Sequence, residues 1–90
     1  MYELEVSGLK NYSVQTVTQL GEIFGRHGIV ESICGSPHSN SVAYVMMEDI
    51  DSAQAAIDDL NAMVLTLHDG NQQVFVKESS RRQWQLTKGA

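Results

Sequence analysis

The sequence is poor in residues on which several protein classes depend. Of its 90 residues, one is cysteine, one is proline and six are aromatic. The single cysteine, Cys34, excludes an internal disulfide and suits a reducing compartment. No apolar run approaches the ~20 residues that a membrane span needs, and no basic-then-apolar stretch opens the chain as in a signal peptide. We therefore expect an intracellular protein, nuclear or cytoplasmic, with no membrane partner.

The residue patterns that carry catalysis or metal binding are also missing. The three histidines are far apart in the sequence, and Cys34 has no second thiol with which to form a zinc site. Asp58 and Asp59 are adjacent on a predicted helix and diverge by about 100°, which does not suit paired acid–base work. No glycine-rich phosphate loop occurs. We expect a protein that is not an enzyme, with no metal site, no cofactor and no small-molecule substrate.

Charge is unevenly distributed along the chain. The formal net charge is −5, yet residues 1–76 hold ten acids and two bases, whereas residues 77–90 hold four bases and one acid. An acidic body with a basic tail is typical either of a solvated terminus or of an interaction arm, and both alternatives stay open. We expect a domain over residues 1–79 and a basic C-terminal extension over residues 80–90.

Two segments have the hydrophobic spacing of helices. Behind Ser13, a natural N-cap, apolar residues recur along one stripe as far as His27. Gly28 is placed to end this first helix at the position where a left-handed residue is preferred. The second helix is expected to begin at an N-cap provided by Asp49 or Asp51.

The remaining periodic segments predict strands. Alternating or branched apolar runs place them at residues 2–7, 30–34, 41–47, 64–67 and 73–76. An Asp-Gly pair within residues 68–71 indicates a hairpin turn between the last two runs.

The resulting order is β-α-β-β-α-β, with one extra hairpin strand before the last. This order predicts an α+β, ferredoxin-like fold, in which two helices cover one face of a four-stranded antiparallel sheet. The other face is then left open to water or to a partner. We expect function to lie on that open face.

Two local stretches and the order of elements resemble the RNA recognition motif (RRM) family. Residues 20–30 (LGEIFGRHGIV) are similar to the family's passage from helix to strand. Residues 53–61 (AQAAIDDLN) are similar to its second helix, with the familiar Leu-Asn ending. The resemblance covers roughly residues 2–78. It implies the ferredoxin-like fold and a module that stacks RNA bases on aromatic residues of the two central strands.

The family's two binding motifs are degenerate in this sequence. In the hexamer motif, which would cover residues 4–9, the usual aromatic is replaced by Glu5. In the octamer motif, the usual leading base is Asn40 and the first aromatic is Val42, so only Tyr44 keeps a ring. A stacked base contributes about 1–3 kcal/mol, and losing two platforms removes roughly 2–6 kcal/mol. The resemblance therefore implies weak binding of single-stranded RNA.

The open face and the tail supply the residues for such binding. Alternation along the strands places two rings on the open face, and the tail adds cations and the only tryptophan. The predicted RNA-binding residues are Tyr44, Phe75, Lys77, Arg81, Arg82 and Trp84. We expect a module of an RNA-metabolism protein that contacts single-stranded RNA through them.

The competing hypothesis is a protein-interaction module. Exposed apolar patches with polar rims commonly mark protein contacts, and Glu5 and Lys77 would form such a rim. The predicted patch comprises Val42, Tyr44, Met46 and Phe75. Its partner would be a protein of an RNA-regulatory complex. In the opposite alternative, Trp84 or another part of the tail folds back and hides the patch.

One helix face is a further candidate for a protein contact. Small or uncharged residues lie side by side on the flank of the first helix, where they would let a partner approach closely. They are Val14, Thr18, Gly21 and Gly25. Close packing within the domain is the alternative explanation.

Overall fold

The chain alternates strands and helices in the expected order. The computed structural model describes residues 1–84, so the last six residues of the predicted extension lie outside the described residues. The elements are β1 Tyr2–Ser7, α1 Val14–Gly25, β2 Val30–Ser36, β3 Ser39–Met47, α2 Ile50–Leu60, β4 Val64–Leu67, β5 Gly70–Gln73 and β6 Phe75–Glu78.

Four of the strands form one antiparallel sheet in the order β2-β3-β1-β6. Strand β1 is central and pairs with β3 on one side and with β6 on the other. Strands β4 and β5 form a separate two-stranded hairpin. The predicted ferredoxin-like class, with two helices and a four-stranded antiparallel sheet, is confirmed.

The core lies between the helices and one face of this sheet. In β1, Leu4 and Val6 are fully buried, and they pack with Val45 of β3. The helices contribute Leu20 and Phe24, which are also fully buried. Since successive strand residues point to opposite faces, burying Leu4 and Val6 forces Glu3 and Glu5 onto the other face.

Both helices begin at the residues that the sequence predicts as caps. The Thr16 N–H donates to Ser13 Oγ at 3.3 Å, and the Ser13 N–H donates to Thr16 Oγ1 at 3.2 Å, which forms a capping box. At α2 the cap is Asp49 rather than Asp51, and its carboxylate accepts from the Ser52 N–H at 2.8 Å. The hydrogen bonds from Ser52 lower the pKa of Asp49 because they stabilise its charged form.

Helix α1 ends earlier than predicted. It stops at Gly25 with Arg26 as the C-cap, so Gly28 is not the residue that ends the helix. The last turn tightens, because the Arg26 N–H donates to the Ile23 carbonyl and the His27 N–H donates to the Phe24 carbonyl. These three-residue bonds satisfy the helix carbonyls before Gly28 is reached.

The expected last strand at residues 73–76 is divided in the structure. Strand β5 ends at Gln73 and β6 begins at Phe75. Between them, the Val74 N–H donates to the Met63 carbonyl at 2.9 Å, and the Val74 carbonyl accepts from the Ala62 N–H at 2.8 Å. Val74 therefore pairs with the connection after α2, and this pairing interrupts the strand.

A core substitution tests the assignment of α1. We expect Leu20→Ala to lower the free energy of unfolding by about 2–5 kcal/mol, because it leaves a cavity at a fully buried position. On the same helix, Val14 is 83% exposed, and Val14→Ala should change stability by no more than about 0.5 kcal/mol. Urea unfolding of both variants measures the difference, and equal effects would contradict the assignment.

Candidate nucleic-acid interface

The face of the sheet opposite the helices carries the side chains that alternation predicts. Cross-strand pairing places them in rows. The first row joins Ser32, Met46 and Glu3, the second joins Cys34, Tyr44, Glu5 and Lys77, and the third joins Ser7 and Phe75. Glu5 and Glu3 thus lie in the middle of the face, on β1, with Tyr44 and Met46 beside them on β3.

The two rings of this face are not neighbours. Tyr44 is on β3 and Phe75 is on β6, and β1 separates them. Two strand spacings across the sheet and two residues along it put their Cα atoms about 12 Å apart. The rings therefore form two separate stacking positions, with Glu5 and Ser7 between them, rather than one continuous platform.

Beyond β6 the chain turns back onto the sheet. We call residues Ser79–Trp84 the C-terminal segment. The Ser79 N–H donates to the Glu3 carbonyl at 3.0 Å, which extends the pairing with β1, and Ser79 is fully buried. The Ser80 hydroxyl donates to Glu5 Oε1 at 3.2 Å. As far as it is described, the segment is therefore docked on the domain.

Trp84 secures the far end of the segment. Its indole Nε1–H donates to the Glu3 carbonyl at 2.9 Å, and its backbone N–H donates to Glu78 Oε2 at 2.7 Å. The indole meets the ring of Tyr2 edge to face, with 5.6 Å between the ring centroids. Trp84 thus packs beside the core at the end of β1.

Arg81 is the residue of the segment that lies over the open face. Its guanidinium carbon is 3.8 Å from the centroid of the Tyr44 ring. Arg81 Nη2 donates to Glu3 Oε2 at 2.7 Å, and Arg81 Nε donates to Glu3 Oε1 at 3.1 Å. Nη2 also lies 3.3 Å from Cys34 Sγ. One side chain thereby joins residues of β1, β2 and β3.

The charge of Glu3 is stabilised by this arrangement. Burial by itself raises the pKa of the carboxyl group, but the hydrogen bonds from Arg81 and Ser79 and the positive charges of Arg81 and Arg82 together outweigh burial and leave the pKa below its ordinary value. The hydrogen bonds to Glu3 in turn raise the pKa of Arg81. The pair is therefore ionised at neutral pH although Glu3 is only 2% exposed.

A comparison with protein families identifies this fold. The sequence model described as RNA recognition motif matches residues 6–69. The chain belongs to the RRM family. The RRM is an RNA-binding fold, and its open sheet face is the surface on which bases stack. No curated protein sequence matches the chain.

Solved structures share the architecture of this RRM. A Sxl-lethal protein–RNA complex is 26% identical with a TM-score of 0.67, over 87% of this chain and 47% of that one. This chain therefore spans about half the length of that relative. The RRM domain of S. pombe Puf1 is 25% identical with a TM-score of 0.66, over 87% and 97%. The Rna15 RRM with bound RNA (GU) is 17% identical, over 87% and 82%, and its TM-score of 0.65 shows a shared fold.

The residues of the predicted patch differ in exposure. Phe75 is 46% exposed, Val42 is half-buried and Met46 is only 8% exposed. Tyr44 is half-buried beneath Arg81. Part of the tail does fold back over the face, as one alternative proposed, since Arg81 covers the Tyr44 ring. The accessible apolar surface is smaller than the sequence pattern indicates.

The cations predicted for this RRM have different surroundings. Lys77 lies 3.9 Å from Glu5 Oε2 and its side chain is 65% exposed. Arg82 is exposed, whereas Arg81 is bound to Glu3. Glu5, which replaces the hexamer aromatic, thus has a partner of opposite charge. The negative charge of β1 is compensated on both of its outward-facing acids.

Glu3 is the site residue that sequence reasoning missed. Alternation placed it on the open face, but its partner Arg81 is 78 positions away in the chain. The one indication in the sequence was that acidic residues point outward from the first strand while basic residues follow the last strand. Since β1 and β6 are neighbours in this fold, those charges come close together.

The flank of α1 stays a prediction. A Cβ atom added at Gly21 would lie 3.8 Å from Ile33 Cδ1, an ordinary contact, and one added at Gly25 would meet open space. Neither glycine is therefore required by close packing. The Thr18 hydroxyl donates to the Val14 carbonyl within the helix.

Within residues 1–84, no three His, Cys, Asp or Glu side chains come together as metal ligands could. In the same range, neither helix has the length and apolar character that crossing a membrane demands.

The Glu3–Arg81 pair predicts a pH dependence of stability. Since the pKa of folded Glu3 is lowered, its contribution is present above the unfolded value near 4.5 and is lost as the pH falls through the folded value. We expect Glu3→Gln to destabilise the protein at pH 7 by about 1–2 kcal/mol, less than for a fully buried pair because water reaches Arg81.

Unfolding of the two proteins between pH 3 and pH 7 measures this effect. The difference between wild type and Glu3→Gln should shrink towards the acid end of the range. Glu22→Gln, which removes an exposed carboxylate on α1, is the control and should show little difference at any pH. A Glu3→Gln effect that does not depend on pH would contradict the ion pair.

Proposed function

We propose that this RRM is a non-catalytic module of an RNA-metabolism protein that binds single-stranded RNA weakly. It does so through the open sheet face and the basic C-terminal extension. The observation that carries the proposal is the presence of two rings, Tyr44 and Phe75, on the face of an RNA-binding fold that the helices leave open. Lys77 and Arg82 supply exposed positive charge close to that face.

Phe75 is the ring that is available to a base. Its 46% exposure is high for a phenylalanine, and it lies outside the core that buries Val74 and Val76 on either side. A base stacked on one ring contributes about 1–3 kcal/mol. Lys77 follows on the same face of β6, where it can reach a phosphate of the same nucleotide or the next.

Weak affinity follows from the remainder of the face. Tyr44, the ring left in the octamer motif, is occupied by Arg81. Glu5 lies at the hexamer position where a ring would otherwise stack a base. Its carboxylate repels phosphate, and the ion pair with Lys77 at 3.9 Å reduces this repulsion. The acidic body of the chain opposes long-range attraction of RNA.

The solved relatives support RNA as the class of ligand. The Sxl-lethal protein and the Rna15 RRM are each seen with RNA. The first is 26% identical to this chain, whereas the second shares the fold at 17% identity. The proposal for this chain rests on its own open face and uses these structures as support.

A protein partner on the same patch is less well supported. A stable interface buries about 800 Å² on each partner. With Met46 buried and Tyr44 beneath Arg81, Phe75 and part of Val42 are the accessible apolar members of the patch. A protein partner would therefore have to displace the C-terminal segment or use a different surface.

An NMR titration with a mixed pool of single-stranded RNA tests the proposed function. We expect the amide signals of Tyr44, Phe75 and Lys77 to shift. The affinity should fall steeply between low and moderate salt, because phosphate contacts depend on counterion release. Absence of any shift at millimolar RNA would overturn the proposal and leave protein interaction as the function to test.

Removing the exposed ring should weaken binding. We expect Phe75→Ala to raise the dissociation constant for RNA by about 5- to 100-fold, because one stacking position is lost. Val64 is the matched control, since it is 57% exposed on β4 and outside the main sheet. Val64→Ala should leave affinity unchanged, and equal effects of the two variants would contradict binding at the sheet face. Fluorescence anisotropy of labelled RNA measures both.

A further inference from the structure

Arg81 occupies the position on Tyr44 where a base would stack. The guanidinium is planar and delocalised, and its carbon is 3.8 Å from the ring centroid. This distance is that of a stacked pair, so a base and the guanidinium cannot occupy this face of the ring together. The octamer ring is therefore blocked by the protein's own chain.

Several contacts hold Arg81 in this position. The fork of its side chain binds both oxygens of the Glu3 carboxylate, and Glu3 is buried beneath it. One acceptor holds a residue on either side of Arg81, since the Ser79 backbone N–H and the Trp84 indole N–H both donate to the Glu3 carbonyl. Glu3 thus fixes the C-terminal segment through its side chain and through its backbone.

Two contacts of the Arg81 side chain, those with Glu3 and Tyr44, have counterparts in RNA. A phosphate group binds the guanidinium fork with the same two-pronged geometry as a carboxylate. A nucleobase stacks on a tyrosine ring in place of the guanidinium. If a base took the ring and a phosphate took Arg81, both partners would be satisfied again, and Glu3 would be exposed to water and keep its charge.

We propose that the C-terminal segment competes with RNA for the sheet. Without RNA, Arg81 covers Tyr44 and is paired with Glu3. When single-stranded RNA binds, a base replaces the guanidinium on Tyr44 and a phosphate replaces the Glu3 carboxylate at Arg81. This inference rests on the proposed RNA binding and assigns to Glu3 the role of holding the site closed.

The affinity of the wild-type protein is then reduced by the fraction of molecules that are open. If the closed arrangement is favoured about tenfold, the apparent dissociation constant rises about tenfold. A substitution that releases Arg81 from Tyr44 without removing its charge should lower the apparent dissociation constant for RNA by the same factor. Glu3→Gln is such a change, because it removes the ion pair with Arg81, keeps the length of the side chain and leaves the guanidinium charged.

The closed arrangement can be tested without RNA. The Arg81 Nε–H donates to the Glu3 carboxylate, so in wild type its ¹H–¹⁵N NMR signal should be protected from exchange with water. The protection should fall in Glu3→Gln, because the uncharged amide offers one acceptor oxygen in place of the two of the carboxylate. It should persist in Glu5→Gln, a neighbouring change of equal charge on the same face, because the glutamine keeps an amide oxygen that can accept from the Ser80 hydroxyl. An unprotected Arg81 signal in wild type would overturn the inference.

RNA affinity provides the second test. We expect Glu3→Gln to tighten binding of the mixed single-stranded RNA pool about tenfold. Glu5→Gln, which also removes one negative charge, should tighten it by about threefold or less, because it removes the charge and keeps an oxygen that can accept from Ser80. Circular dichroism checks that both variants are folded.

If the segment competes with RNA for Tyr44, the difference in RNA affinity between Glu3→Gln and Glu5→Gln must depend on the Tyr44 ring. In a Tyr44→Leu background, Glu3→Gln should tighten binding no more than Glu5→Gln does, since the protected ring is absent. Equal gains from the two glutamine variants in the wild-type background would overturn competition by the segment and leave the RNA-binding proposal intact. Failure of every variant to bind RNA would overturn the proposed function together with this inference.

Discussion

The burial of one face of the central strand β1 in the core determines which side chains lie on the open face of the sheet. Leu4 and Val6 of β1 are fully buried beneath the helices, and period-two alternation then turns Glu3 and Glu5 towards the opposite face. Those two acids occupy the middle of the surface on which an RRM stacks bases. The negative charge in the middle of the open face therefore comes from β1, the central strand whose other face forms part of the core.

The outward acids are compensated by the chain that follows the last strand. Glu5 has Lys77 at 3.9 Å, and Glu3 is bound by Arg81. Because β6 is the neighbour of β1, residues just beyond β6 reach back over β1 with little extra chain length. The basic tail and the acidic first strand are thus two halves of one electrostatic arrangement, although they lie at opposite ends of the sequence.

This arrangement also distinguishes the two rings of the face. Phe75 is at the edge of the sheet and stays accessible, whereas Tyr44 lies beneath a guanidinium. In a degenerate RRM, the number of rings that can stack a base is therefore reduced by two causes: some rings are replaced, and a remaining ring can be covered by another side chain of the protein. The motif positions alone count the rings that are present, and they do not reveal whether a ring is free.

Local features of the sequence were sufficient for most of the fold. Ser13 and Asp49 cap the helices through bonds to residues three positions away, and alternation assigned the faces of β1 and β3 correctly. The tertiary structure decided where α1 and the last strands end, because those ends depend on a tightened turn and on the pairing of Val74 with Met63. It alone placed Arg81 against Glu3 and Tyr44. Both contacts depend on the path of the chain after β6, and both join residues that are far apart in the sequence.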